Sequence, residues 1–217
     1  MNWLAHLHLA AIAGVEPAGS LLPDIINTRH LADFSPQRQQ AICLHQAIDR
    51  FTDQHPHFKH SKQYLAPTYR KVAGVLVDIF YDYCLVQCWQ DYAPETLATF
   101  VERNHLALQA QLPSLPAASQ TVLHYMMQQQ WLLAYGSHAG IHTSLERLSR
   151  RLQGRVDLAP ASAWLQRHES GFMADFQAFY PDLLAYVRAF NPEPLYGGGK
   201  PTETSEDGQF ANLDTFR

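Results

Sequence analysis

Cysteine, long apolar runs and an excess of basic charge are all scarce in this 217-residue chain. Its three cysteines, Cys43, Cys84 and Cys88, show no CxxC spacing. A disulfide framework or a sulfur-ligated zinc is therefore not expected, and reduced buried thiols are. Apolar runs fall far short of the roughly 20 residues that cross a bilayer. The opening "MNWLAHLHLA" lacks the basic segment of a signal peptide. A formal charge of −4 excludes a generally basic nucleic-acid binder, and no nucleic-acid motif accompanies the scattered bases. The expectation is a soluble, cytoplasmic protein with neither a membrane nor a nucleic acid as partner; its oligomeric state is left open.

Period-two alternation and internal repeats are missing too, while helical punctuation abounds. Ser35 and Pro36 read as N-cap and first helical residue of a helix ending before Pro56. From about Pro67 to Tyr92, apolar residues recur at three and four positions. Pro94 opens a helix to about Leu112, and Ser119 caps one that stops at Gly136. A shorter helix closes at Gly154. Residues 161–180 and 182–190 read as two helices, or one kinked at Pro181. These signals predict an all-α fold, a single compact domain of about seven helices over residues 1–190. Residues 191–217 form an acidic tail of five acids against Lys200 and Arg217, expected to be flexible and to carry no chemistry.

What is abundant is histidine, with twelve copies. In "ICLHQAIDRFTDQHP", Ile42, Leu44, Ile48 and Phe51 mark a buried stripe, yet His45 and Asp49 project inside it. A desolvated carboxylate costs several kcal/mol unless something compensates. The pair lies one helical turn apart, so it either hydrogen-bonds internally or shares a cation. Asp53 stands one turn further on. "VLVDIFYDY" repeats the pattern with Asp78 and Asp82, two carboxylates that repel unless a cation, a base or water intervenes. His6 and His8 point roughly 200° apart on a helix, so only one can face a common centre. Asp24 follows Pro23 among apolar residues and reads by itself as an N-cap.

Facing helices that each contribute carboxylate and imidazole are how helical bundles build metal sites. The oxygen and nitrogen donors suit Mn²⁺ or Mg²⁺, with Zn²⁺ or Fe²⁺ as further options. A hard divalent ion beside histidine points to metal-assisted phosphoester hydrolysis.

"MNWLAHLHLA", "GSLLPDI", "LHQAIDRFTDQHP" and "VAGVLVDIFYDYCL", in this order and spacing, resemble the acyl carrier protein phosphodiesterase family, regarded as a divergent branch of the HD-domain phosphohydrolases. The likeness is dense over residues 1–92, continues through "QQWLLAYG" and "FQAFYPDL", and omits the tail. It implies an HD-domain-like helical fold and Mn²⁺-dependent hydrolysis of the phosphodiester joining 4′-phosphopantetheine to a serine of holo-acyl carrier protein. By motif, Asp24 falls in "LLxD", His45 and Asp49 in "HxxID", Asp53 in "TD", and Asp78 and Asp82 in the paired-acid element. His6 and His8 match the opening. The chain departs from the pattern in having no adjacent His-Asp dipeptide. Tyr83 and Cys88 also stand where some relatives are expected to carry histidine.

The resulting expectation is a metal shell of Asp24, His45, Asp49 and Asp78, with Asp82, His6 or His8 moving the proton. Carrier proteins are small and acidic, so a basic dock is expected. Arg50, Lys59, Lys62, Arg70 and Lys71 are the preferred set because they adjoin the metal helices. Arg147, Arg150, Arg151 and Arg155 are the second. Two other readings use the same residues: a phosphohydrolase of a nucleotide or other small phosphoester, and a non-catalytic helical adaptor whose polar core only hydrogen-bonds to itself.

Overall fold

The computed structural model describes residues 1–65, 67–151 and 156–190. Among them there is no strand, and eleven α-helices carry the fold. They are α1 (Trp3–Ala13), α2 (Pro36–Gln54), α3 (Pro56–Ser61), α4 (Ala73–Gln87), α5 (Trp89–Tyr92) and α6 (Leu97–Gln111). The remainder are α7 (Ala117–Gln128), α8 (Trp131–Ala134), α9 (His138–Arg151), α10 (Ser162–Arg167) and α11 (Glu169–Arg188). The all-α expectation holds, in shorter pieces than periodicity suggests.

α1 is the axis. It is apolar all round and every residue from Trp3 to Ala10 is buried, as expected of a helix surrounded by others. α2, α4 and α11 pack on it, and α11 also receives α3 and α10. α6, α7, α8 and α9 form a second group that joins this core through α4 and α9.

Local chemistry sets the boundaries. Ser35 caps α2 by accepting from the Arg38 N–H, with Pro36 as the first helical residue. The helix expected from Pro94 starts instead at Leu97, capped by Thr96, whose Oγ1 accepts from the Thr99 N–H at 3.2 Å. Ser119 is not a cap: it lies buried inside α7. The helix expected to run on to Gly136 breaks at Gln130, whose φ of 51° is left-handed. The stretch from Pro67 divides into a 3₁₀ segment to Val72, then α4 and α5. Helix α11 runs through Pro181, because both Pro181 and Gln177, whose carbonyl loses its partner there, face solvent. Gly154 and residues 191–217, read above as a helix end and a tail, lie outside the described residues.

Two long-range ties hold the core in register. The Asp175 carboxylate of α11 accepts from Nδ1 of His57 at 3.0 Å, Nδ1 of His60 at 2.8 Å and the Ser61 hydroxyl at 2.9 Å, all on α3. The Asp82 carboxylate of α4 accepts from the backbone N–H of Leu4 and Ala5 at 2.9 and 3.0 Å. These are first-turn donors of α1, which have no partner within their own helix, and a carboxylate there also complements the helix dipole.

Candidate metal centre

His45 and Asp49 sit one turn apart on α2, and His45 Nε2 lies 3.0 Å from Asp49 Oδ2. The His45 ring is oriented from behind: its Nδ1 donates to the Ser20 carbonyl at 2.8 Å. That bond leaves Nε2 as the nitrogen able to ligate, the usual arrangement of a metal-binding imidazole. Ser20 can approach because its neighbour is glycine. A Cβ on Gly19 would stand 2.6 Å from Ala41 Cβ and 2.9 Å from the Arg38 carbonyl on α2.

The same loop continues into Asp24, whose Oδ1 is 3.7 Å from His45 Nε2. From α1 comes His6, its ring stacked on His45 with centroids 3.8 Å apart. His6 Nε2 is 3.2 Å from Asp49 Oδ1 and 3.1 Å from the Met1 carbonyl, while its buried Nδ1 has no partner among the described residues. One ligating atom from each of His6, His45 and Asp49 falls within 4.8 Å of the others. The Met1 α-ammonium lies 2.9 Å from Asp78 Oδ1 and 3.2 Å from Asp49 Oδ1. Four segments of chain thus meet at one polar point at the edge of the core, where His6 and His45 are buried and Asp24, Asp49 and Asp78 are partly open to solvent.

The electrostatics follow from that crowding. Burial holds the His6 imidazole down at about 4, with His45 adding to the effect against Asp49. Burial also opposes charging of His45, but the Asp49 and Asp24 carboxylates overcome it and raise the pKa. For Asp49 burial is again the largest influence and would raise it. The Met1 ammonium, His45 and His6 together win and hold it well below the usual carboxylate range. Asp78 is pushed up to about 6 by burial, against the pull of the ammonium. The ammonium is held at about 11: burial would lower it, and Asp78 and Asp49 outweigh burial. The cluster therefore depends on positive charge at its centre, and its imidazole and carboxylate donors fit a divalent ion of the Mn²⁺ or Mg²⁺ class.

Of the residues singled out in the sequence, the structure gathers His6, His45, Asp49, Asp24 and Asp78. It gives Asp82 and His8 other tasks. Both oxygens of Asp82 are taken by α1 backbone donors, and the residue is completely buried. Burial raises it to about 7, with the two backbone bonds opposing. His8 leaves the other side of α1, with Nδ1 2.7 Å from the Tyr180 hydroxyl and its ring among Trp89, Phe100 and Tyr180. Neither reaches the cluster, so the proton-transfer role expected of them has no geometric support. Asp53 is exposed at the rim on α2.

Of the basic residues, Arg50, Lys59, Arg70 and Lys71 are exposed, and Lys62 lies 4.9 Å over the Phe58 ring. They follow α2 and α3 to the start of α4. On α9, Arg151 donates to the Asp24 backbone carbonyl and Arg147 lies 5.0 Å over the Trp131 ring. Through Arg151 the second basic set thus reaches Asp24 of the cluster, a proximity that sequence spacing could not reveal, while its Arg155 lies outside the described residues.

A family model described as acyl carrier protein phosphodiesterase matches residues 1–183. Curated relatives carry the same name. One from Yersinia enterocolitica is 30% identical over 189 residues, covering 87% of this chain and 98% of the relative. Another from Pectobacterium atrosepticum is 28% identical over 189 residues, with the same coverage. A third, from an Enterobacter species, is 30% identical over 191 residues, again covering 87% and 98%. No solved structure matches the chain.

Proposed function

The chain belongs to the acyl carrier protein phosphodiesterase family, and on that premise we propose how it works. It hydrolyses the phosphodiester between 4′-phosphopantetheine and a serine of holo-acyl carrier protein, releasing apo carrier protein and 4′-phosphopantetheine. The observation that carries a mechanism is the convergence of His6, His45 and Asp49, with Asp24 and Asp78 beside them, on one half-buried point.

His6, His45, Asp49 and Asp24 would hold a divalent cation, Mn²⁺ by preference or Mg²⁺. Such an ion, when bound, polarises a phosphate oxygen and acidifies a water. The chain's own residues do the rest. The Ser20 carbonyl fixes the His45 tautomer. Burial keeps His6 neutral at physiological pH and so able to ligate. Asp78 Oδ1 faces the Met1 ammonium rather than an imidazole. It is the carboxylate left to take a proton from the attacking water or return one to the departing serine oxygen.

The carrier protein would dock on Arg50, Lys59, Lys62, Arg70 and Lys71, which lead from the cluster along α2 and α3 to the start of α4. No described helix is long and apolar enough to cross a membrane. The three free thiols suit the reducing cytoplasm, where we place the reaction.

Mass spectrometry of holo carrier protein incubated with the enzyme and Mn²⁺ tests the reading. The expected result is loss of the phosphopantetheine mass. His45→Ala should reduce that loss by about 100-fold or more, since a ligand should matter at least as much as the outer-shell partners of a metal site, with the helical circular dichroism retained. Full turnover by His45→Ala at an unchanged metal requirement would overturn the assignment.

A further inference from the structure

Beside the carboxylate and imidazole cluster lies a second group of opposite character. Two side-chain nitrogens there are buried and have no acceptor among the described residues: Arg147 Nη1 and Trp131 Nε1. Each is a donor only, and a buried donor left without a partner keeps its full desolvation penalty. They share one neighbourhood. The Arg147 guanidinium lies 5.0 Å over the Trp131 ring, and Trp131 packs on Trp3 at 5.4 Å. Buried Tyr135 is raised first by burial. Asp82 and Asp24 raise it further, while a hydrogen bond from the Asn2 side-chain amide and the Arg147 charge lower it, so the same hydroxyl senses members of both groups. Arg151, one turn beyond Arg147, holds the Asp24 backbone carbonyl. Asn2 follows Met1, whose amine touches Asp49 and Asp78. As whole residues, Asn2, Trp131, Arg147 and Arg151 are only partly buried, so their outer edges open to the surface.

We propose that Arg147 and Trp131 Nε1, with Asn2 and Arg151 at the rim, form an oxyanion pocket for a tetrahedral phosphate group. The unmatched donors call for an anionic acceptor rich in lone pairs, and a guanidinium fork fits phosphate oxygens. The pocket deepens the proposed reaction and rests on it only for the identity of the natural ligand. It would hold the phosphodiester's non-bridging oxygens, leaving the bridging bond toward the histidines.

The test uses inorganic phosphate as probe, the full chain and EDTA, so that binding is read apart from hydrolysis. By titration calorimetry, Arg147→Gln should weaken phosphate about tenfold or more, the worth of a lost charge-assisted bond. Trp131→Phe keeps the ring and removes one donor, and should weaken it several-fold. Arg103→Gln makes the same charge change at a remote pair with Glu95 and should leave affinity unchanged. Melting curves establish that each variant is folded; should Arg147→Gln fail to fold, Trp131→Phe decides. Undetectable phosphate binding by the parent, or equal binding by the folded variants, overturns the pocket. Hydrolysis of holo carrier protein is read separately. Phosphate binding that depends on Arg147, in a protein that leaves holo carrier protein intact, upholds the pocket and removes the proposed reaction. Hydrolysis with KM and kcat unaltered by Arg147→Gln removes the pocket and leaves the reaction.

Discussion

Asp78 and Asp82 read identically in the sequence, two acids one turn apart on a stripe edge, yet they part company in three dimensions. Asp78 faces the polar centre, whereas Asp82 anchors the first turn of α1. Asp82→Ala strands two buried donors and should cost about 3 kcal/mol in urea unfolding, while Asp82→Asn keeps one acceptor and should cost less. Equal stability of Asp82→Ala and the parent would remove the anchoring role. His8 supplies a pH signature. Burial holds it at about 4, against 6.5 in an ordinary histidine. The unfolded chain therefore binds a proton below 6.5 that the folded chain refuses until about 4. Stability is fully present above 6.5 and falls as pH drops through that window, by about 1.4 kcal/mol per unit at most. His6 adds a drop of the same sign. His8→Gln should flatten the slope measured by urea unfolding between pH 7 and 5.

At the scale of elements, the α2 signals were legible because each is local. Ser35, Pro36, the apolar stripe and the His45–Asp49 turn all act within a few residues of one another. What could not be read is contact across the chain. Asp175 meets α3 across more than a hundred residues, and Arg151 meets Asp24 across 127. Periodicity carries no information about either. Ser119 was misread because a serine ahead of an apolar run looks like a cap wherever it stands, and here Pro116 had already begun the helix. The loop before Asp24 offers an element-scale test. Gly19→Ala forces a methyl against Ala41 and the Arg38 carbonyl. It should lift Ser20 and Asp24 off α2, cost about 1–3 kcal/mol and weaken Mn²⁺ binding measured by titration. Unchanged metal affinity would show that the loop does not set the site.

Over the whole molecule, a net charge of −4 must coexist with an acidic substrate. On the docking proposed above, five basic side chains following α2 and α3 to the start of α4 would supply the local attraction. Exposed charges of this kind are screened beyond about 8 Å at physiological ionic strength. The KM for holo carrier protein should therefore climb as salt is raised from 50 to 500 mM, on the order of tenfold, while kcat changes little. A flat KM across that range would exclude a charged dock. Fold class is plain from periodicity, because no stretch alternates convincingly at period two while apolar residues recur at three and four positions. The order of packing is not: only the coordinates place α1 at the axis, since an apolar helix reads the same whether it is first to be buried or last.

That axial position ties catalysis to folding. α1 brings His6 to the cluster from one side and fills the aromatic interior with His8 on the other, and Asp82 pins it at its amino end. Random mutagenesis across Trp3–Ala10 should then produce losses in soluble yield and turnover together, with few variants inactive yet well folded. Diversity introduced at the exposed positions around Arg50 and Lys59 should separate the two traits, which makes that surface the more productive ground for altering carrier-protein preference.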